Sequence, residues 1–214
     1  MAAPQTARNG STEAWAHLVK DIFERIWQLA LPLQDQRDDS GHAEVTLSYA
    51  TALLASEQGD EDVVIPAIIL HDIGYSQLSK ERRLSIFDRS KPEAERKAVQ
   101  IEHENAGVVL AKGLLVRVEY PRHLVPEILE IISQHDTRKG FISKNEGLVR
   151  DSDKLWRFSK RAFDVGSRRP RTGLDTRLKD LEADIDKPGY FFSERAKQLA
   201  REQLEARKKE LPGT

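Results

Sequence analysis

Apolar residues recur along this chain at spacings of three and four, with polar residues between them. Such spacing indicates amphipathic helices, and no stretch alternates residue by residue between polar and apolar as a half-buried strand would. Glycine or proline separates the periodic stretches. The pattern predicts an all-α bundle of about eight helices, at residues 12–31, 42–57, 61–73, 92–116, 121–136, 145–163, 173–185 and 193–210.

The third predicted helix has almost no polar face. Residues 63–70 carry no polar side chain, so we expect this helix to be the buried, central one. Pro66 lies early in it, where a missing N–H costs little. Gly74 follows its end, where a left-handed residue is often needed. His71 and Asp72 are therefore expected in the last turn of a rigidly held helix.

Imidazole and carboxylate side chains recur at wide spacing on the inward faces of the predicted helices. The helical phase places His42, His103 and His135 on apolar stripes, and Asp153 shares a face with Trp156. A single histidine in this setting is more often a hydrogen-bonded core residue, but several buried together would be a costly core. One ligand per helix is typical of metal sites in bundles. The candidate ligands are His42, His71, Asp72, His103, His135 and Asp153; a histidine-rich core without metal is the alternative.

Composition narrows the setting of this candidate site. The 214 residues are enough for one domain, and 34 Lys and Arg against 35 Asp and Glu give no field that would attract nucleic acid or an anionic membrane. The absence of cysteine excludes thiolate ligands and disulfides and fits a reducing compartment. Residues 1–10 do not resemble a secretory signal, and no apolar run reaches eighteen residues. We therefore expect a soluble, cytoplasmic protein.

The ordered set of His42, the His71–Asp72 doublet and Asp153 resembles the H…HD…D signature of the HD-domain superfamily of metal-dependent phosphohydrolases. The resemblance covers roughly residues 40–160. His103 and His135 resemble the two further histidines of the binuclear branch, whose members include nucleotide hydrolases. The resemblance implies an HD-like helical bundle, with one ion held by His42, His71, Asp72 and Asp153 and a second held by Asp72, His103 and His135.

Two cations about 4 Å apart can bind phosphate oxygens and lower the pKa of a shared water. Histidine and carboxylate ligands suit Fe, Mn, Co, Ni or Zn better than Mg or Ca. The resemblance therefore implies two divalent transition-metal ions and hydrolysis of a small phosphorylated substrate, a nucleotide or another phosphoester, by a metal-activated water. Asp72 and Asp136 are the candidate catalytic residues. The cyclic-di-GMP branch carries a GYP motif far downstream of the doublet; Gly74–Ser76 is not that motif and the sequence contains none, so cyclic-di-GMP is not the expected substrate.

Basic residues near the predicted ligands are candidates for phosphate binding, because arginine can contact phosphate oxygens in a bidentate manner. They are Lys154, Arg138, Lys139 and Arg82. Solvated surface charge is the simpler alternative for each of them. Arg82 lies in a polar segment, residues 76–100, which we interpret either as a lid over the site or as a solvated connection.

The chain is expected to divide near residue 166. Residues 1–166 would form the HD-type hydrolase domain, and residues 167–214 a charged extension whose last helix has a narrow apolar stripe for docking on the domain or a partner. Ser193 is the predicted N-cap of that helix. Homo-oligomerisation is left open. His17 and His123 fall outside the candidate site and are interpreted as structural or surface residues.

Two other functions are compatible with the same residues. Some proteins with this ligand set resemble diiron oxygenases. In those proteins the gap between the last histidine ligand and the last aspartate ligand tends to be longer than the 18 residues from His135 to Asp153. The other alternative is a regulatory module that binds a nucleotide without turnover and signals through the C-terminal helix.

Overall fold

The computed structural model describes residues 21–88, 90–166 and 173–210. Within these ranges the chain forms helices and no strand, which confirms the predicted all-α class. The described helices are α1 (21–30), α2 (His42–Leu54), α3 (Glu61–Leu70), α4 (Lys80–Leu84), α5 (Glu93–Arg117), α6 (Val125–Ser133), α7 (Lys144–Trp156), α8 (Lys160–Gly166), α9 (Leu174–Ile185) and α10 (Glu194–Glu210). Residues 12–20 of the first predicted helix, including His17, lie outside the described residues.

Helix α3 lies at the centre of the bundle, as its sequence predicted. Its residues from Val63 to Leu70 are all buried, and it packs against α2, α6 and α7. The Asp60 side chain caps its N-terminus by accepting a hydrogen bond from the Asp62 backbone. Apolar burial on every side therefore fixes the position of the two residues that follow α3.

Two parts of the predicted helix pattern are wrong. The helix predicted at 145–163 is two helices, because the chain turns at residues 157–159 and Ser159 starts α8 by accepting a hydrogen bond from the Ala162 N–H at 3.1 Å. The segment predicted as a loop contains α4, which begins where the Ser79 hydroxyl accepts a hydrogen bond from the Arg82 N–H. Serine caps thus set helix starts that the apolar periodicity did not indicate.

Gly74 is required for a close contact rather than for a left-handed helix end, so that prediction is also wrong. It lies in a 3-10 turn, Ile73–Gln77, where a Cβ atom would be 1.9 Å from the His103 carbonyl oxygen and 2.5 Å from the Gly107 nitrogen. Only a residue without a side chain lets this turn approach the α5 backbone so closely. The contact brings the His71–Asp72 doublet next to α5.

The C-terminal helices extend the same hydrophobic core. Helix α10 packs on α9 and α7, and the apolar side chains that join the core are Leu178, Leu181, Ile185, Ala196, Ala200 and Leu204. The Ser193 hydroxyl accepts a hydrogen bond from the Ala196 N–H at 3.1 Å, which confirms the predicted N-cap. The division of the chain near residue 166 stays a prediction. Among the described helices, none has the length and apolar character needed to cross a membrane.

Candidate metal centre

The predicted ligands come together where five helical elements meet. His42 is the first residue of α2, His71 and Asp72 follow α3, His103 lies in α5, His135 follows α6, and Asp153 lies in α7. Because α3 ends at Leu70 and α6 at Ser133, the prediction that every ligand lies inside a helix is wrong for three of them. These three project from the first residues beyond a helix end.

Four of the side chains form a first ligand group, made of His42, His71, Asp72 and Asp153. The Nε2 atoms of His42 and His71 are 3.2 Å apart. Asp72 Oδ2 lies 3.2 Å from His42 Nε2 and 3.4 Å from His71 Nε2. Asp153 Oδ1 lies 3.3 Å and 3.5 Å from the same two nitrogens. One nitrogen or oxygen from each residue therefore faces a common point.

A second ligand group, made of Asp72, His103 and His135, adjoins the first. The Nε2 atoms of the two histidines are 3.3 Å apart. Asp72 Oδ1 lies 3.6 Å from His103 Nε2 and 3.4 Å from His135 Nε2. Since the other oxygen of Asp72 faces the first group, this carboxylate is placed between the two groups as a bridging ligand would be.

Backbone carbonyls orient three of the four imidazoles. The Nδ1 atom of each ring lies against a carbonyl oxygen of the preceding helical turn, which can only accept a hydrogen bond, so Nδ1 carries the proton. The pairs are His71 with Ile68 at 2.7 Å, His103 with Val99 at 3.3 Å and His135 with Ile132 at 2.9 Å. Each Nε2 thereby faces the centre, and it is the nitrogen that would bind a metal once its proton has left.

The electrostatics of the centre favour cations. Burial alone would lower the pKa of His42, but hydrogen bonds to Asp153 and Asp72 outweigh burial and raise that pKa to about 10. Burial alone would also lower the pKa of His135, but Asp72 and Asp136 outweigh burial and raise that pKa to about 10. The carboxylates thus draw positive charge into a buried site. Transition-metal ions fit this set of imidazole and carboxylate donors.

Asp72 stays ionised for the same reason. Burial would raise its pKa, but the Arg37 guanidinium and the nearby imidazoles hold the pKa of this carboxyl well below its usual range. Sequence analysis did not identify Arg37, which lies in the polar loop before α2 and belongs to no periodic pattern. Its Nη2 donates a hydrogen bond to Asp72 Oδ2, and its guanidinium lies 4.4 Å from the centre of the Tyr75 ring.

Sequence analysis also missed residues that support the ligands from outside. The Glu104 carboxylate is buried and holds the turn that follows His135. The Tyr75 ring stacks on His103 at 3.8 Å, and the Trp156 ring meets His42 edge-on at 5.1 Å. A carboxylate directly after His103 in the same helix was the available signal for Glu104.

Three of the six predicted ligands line a cavity of about 700 Å³. His42, His135, Asp136 and Asp153 line its floor, and the side chains of Asp153 and Asp136 are about a quarter exposed. Its walls carry basic and aromatic side chains, among them Arg37, Lys154, Arg177, Phe87, Trp156, Phe163 and Tyr190. The volume is within the usual range for sites that bind small molecules.

Among the predicted phosphate-binding residues, only Lys154 lines this cavity. Its ammonium donates a hydrogen bond to the Tyr190 carbonyl, and burial together with the neighbouring Arg150 lowers its pKa to about 8. The other three lie elsewhere: Arg138 contacts Glu146 at 3.0 Å, Arg82 contacts Glu102 at 2.7 Å, and Lys139 is exposed. Their role in phosphate binding stays a prediction.

The remaining predicted residues occupy different positions. Asp136 Oδ2 lies 3.8 Å from His103 Nε2, beside the second group. Asp151, two residues before Asp153, accepts hydrogen bonds from the chain just before α10. His123 is exposed, as expected. In the segment at residues 76–100, Phe87 reaches the cavity wall, while closure as a lid stays a prediction.

Comparison with known proteins agrees with this geometry. The model of the HD-domain family matches residues 40–157, which is more than half of the chain and includes all six predicted ligands. The chain belongs to the HD-domain family, whose members are helical and generally act as metal-dependent phosphohydrolases. No curated protein and no solved structure gives a significant match.

Proposed function

We propose that this protein is a phosphohydrolase that uses two divalent transition-metal ions to hydrolyse a nucleotide or another small phosphoester. The observation that carries the proposal is the position of Asp72. Its two oxygens face two separate groups of imidazoles, and each group contributes one histidine, His42 or His135, to the lining of one cavity. A shared carboxylate between two histidine-containing groups is the arrangement that a pair of ions acting on one phosphate requires.

The first ligand group would hold one ion, and the second group, with Asp72 in common, would hold the other. When bound, such ions supply a Lewis acid that activates water and binds phosphate oxygens. The chain contributes the rigid placement of the donors, because backbone carbonyls fix the imidazoles and the surrounding core fixes the helices. No protein nucleophile is then needed.

Asp136 and two cationic side chains complete the proposed site. Burial raises the pKa of the Asp136 carboxyl, so its Oδ2 is better suited than an exposed aspartate to take a proton from the attacking water. Lys154 and Arg37 lie in the cavity wall, where their charges can bind the oxygens of a phosphate group.

The upper walls of the cavity support a nucleotide as the substrate. Trp156, Phe163 and Phe87 line the cavity and are each half-buried, so one face of these rings can contact a ligand. The Arg177 guanidinium lies 3.9 Å from the centre of the Phe163 ring. Aromatic rings with a stacked guanidinium suit a flat, polar base better than an aliphatic group.

Metal content and hydrolysis should be measured together to test the proposal. Wild-type protein, purified without oxygen, should contain two equivalents of transition metal and release phosphate from a panel of nucleotides. Asp72→Ala should lose both metals and turnover while keeping its helix content by circular dichroism. One equivalent of metal would contradict the second ligand group. No metal after reconstitution, or undiminished hydrolysis by the variant, would contradict the proposal as a whole.

The same experiment separates the two alternative functions. Oxygen uptake that depends on reduced iron, with no phosphate release, would indicate a diiron oxygenase. Tight nucleotide binding without turnover under any of the metals would indicate a regulatory module.

A further inference from the structure

Arg37 is a buried cation built into the metal centre. Its side chain is only 13% exposed. The Asp39 carboxylate holds it twice, with Oδ2 at 3.0 Å from the Arg37 Nε and Oδ1 accepting a hydrogen bond from the Arg37 backbone N–H at 3.0 Å. Asp39 is itself buried, and the Tyr75 ring packs under the guanidinium. Arg37 is therefore fixed at this place by groups other than the predicted ligands.

The guanidinium contacts one particular oxygen of Asp72. It donates to Oδ2, the oxygen that lies 3.2 Å and 3.4 Å from the imidazole nitrogens of the first ligand group. The opposite oxygen, Oδ1, faces His103 and His135 in the second group. Arg37 thus donates directly to the oxygen of Asp72 that faces the first group.

We propose that Arg37 is a resident cation that competes with metal for Asp72 and so sets the affinity of the first ligand group. This inference rests on the proposed metal-dependent function. The guanidinium neutralises Asp72 when the first group holds no ion. When an ion binds, two positive charges meet at one carboxylate oxygen and repel each other, and this repulsion opposes metal binding.

The asymmetry of the contact separates the two ligand groups. Metal binding to the first group must overcome the repulsion at Asp72 Oδ2, the oxygen to which Arg37 donates, whereas the second group uses the opposite oxygen, Oδ1. Removing the charge of Arg37 should therefore tighten metal binding at the first group more than at the second. The tether to Asp39 keeps the guanidinium in the cavity wall whether or not it contacts Asp72.

Calorimetric titration of metal-free protein with Mn²⁺ tests the proposal. Arg37→Gln should bind Mn²⁺ at one site at least about tenfold more tightly than wild type, as expected for the loss of a neighbouring like charge. The second site should change by less than about threefold. In a His135→Ala background, which leaves only the first group complete, the gain from Arg37→Gln should persist as a shift of a single binding isotherm.

Two control variants separate charge from packing. Arg37→Lys keeps the charge and should bind Mn²⁺ nearly as wild type does. Arg157→Gln removes another cavity arginine, one that pairs with Asp184 at 2.8 Å, and should leave both Mn²⁺ affinities unchanged. Metal-free Arg37→Gln should also melt at a lower temperature than wild type, because Asp72 loses one of its cationic partners, and saturating Mn²⁺ should reduce this difference in melting temperature.

Each outcome decides one question. Unchanged or weaker Mn²⁺ binding by a folded Arg37→Gln, with two sites intact in wild type, would overturn the inference and leave the proposed function standing. Failure of both wild type and Arg37→Gln to bind Mn²⁺ or any other transition metal would overturn the proposed function and the inference with it.

Discussion

Glu104 holds a predicted ligand in place although it cannot reach the metal site itself. Its carboxylate is buried and accepts hydrogen bonds from the Asp136 N–H at 2.9 Å, the Thr137 N–H at 3.1 Å and the Thr137 hydroxyl at 2.7 Å. These donors belong to the two residues that follow His135. Glu104 therefore connects α5, which carries His103, to the turn that positions the other histidine of the second group.

Replacing Glu104 by glutamine should weaken this connection. The amide keeps the volume, but it removes the charge that strengthens the hydrogen bonds from the backbone N–H groups, and it makes the Thr137 hydroxyl accept where it now donates. We expect a loss of about 1–3 kcal/mol in the free energy of unfolding and weaker metal binding at the second group alone. Urea unfolding and metal titration would measure the two effects.

The matched control is Glu102→Gln in the same helix. The Glu102 side chain is 49% exposed and pairs with Arg82 at 2.7 Å, and an exposed pair contributes about 0–1 kcal/mol. An equal loss of stability in both variants would contradict the role assigned to Glu104.

At the scale of residues, the sequence indicated the ligands but not their supports. His42, His103 and Asp153 could be found because a polar side chain on an apolar stripe stands out from its helical period. Arg37 lies in a loop, which has no helical periodicity from which a polar residue could stand out. The partners of Glu104 are backbone groups 32 and 33 residues away, and only the folded chain brings them together.

At the scale of elements, the packing of a 3-10 turn on α5 decides where the ligand doublet lies. Gly74→Ala would place a Cβ atom 1.9 Å from the His103 carbonyl oxygen, and a backbone atom cannot rotate away as a side chain can. We expect a loss of about 3 kcal/mol in the free energy of unfolding, together with weaker metal binding at the second group. Chemical denaturation would measure the first effect and metal titration the second.

Gly113 provides the opposite case within α5. A Cβ atom there would meet nothing within 4 Å, so Gly113→Ala should stabilise the protein by about 0.5–1 kcal/mol through helix propensity. Destabilisation by both variants would mean that the close approach at Gly74 is not the cause of its effect.

Docking of α10 depends on one carboxylate of α7. Asp151 is fully buried and accepts hydrogen bonds from the Phe192 N–H at 2.7 Å, the Ser193 N–H at 2.9 Å and the Ser193 hydroxyl at 2.8 Å. Asp151→Asn should cost about 1–3 kcal/mol of stability, because an amide group cannot accept all three. Asp186→Asn, at an exposed pair with Arg201, should change stability by less than about 1 kcal/mol. Thermal unfolding of the two variants would test the difference.

The existence of the long helices was predictable from the sequence, whereas the short helices α4 and α8 and most helix ends were not. The helical spacing of apolar residues indicated each long helix, and Ser193, as an N-cap residue, indicated where α10 begins. The ends of α3 and α6 depend on contacts between distant segments, such as the approach of the Gly74 turn to α5. His71 and His135 therefore lie just beyond helices that the sequence alone extended through them.

At the scale of the whole molecule, the cavity is built partly from the region that carries the predicted ligands and partly from the chain beyond it. The region that matches the HD-domain family ends at residue 157 and contains every predicted ligand. Phe163, Leu174, Arg177 and Tyr190 line the cavity from beyond that region. Membership of the family therefore covers the residues of the proposed metal chemistry, while part of the wall that would contact a substrate lies outside the matched region.

Metal binding should stabilise the molecule as a whole, because the proposed ligands come from five elements that converge only in the folded chain. An ion that binds the folded and not the unfolded protein adds about 2.7 kcal/mol per site at a free concentration one hundred times Kd. For a protein of this length, that is a rise of roughly 5–10 °C in Tm. Thermal unfolding followed by circular dichroism should show this rise with added transition metal and its reversal by a chelator. Asp72→Ala should show neither, and a rise of the same size in that variant would place the stabilising ion at a site other than the one proposed.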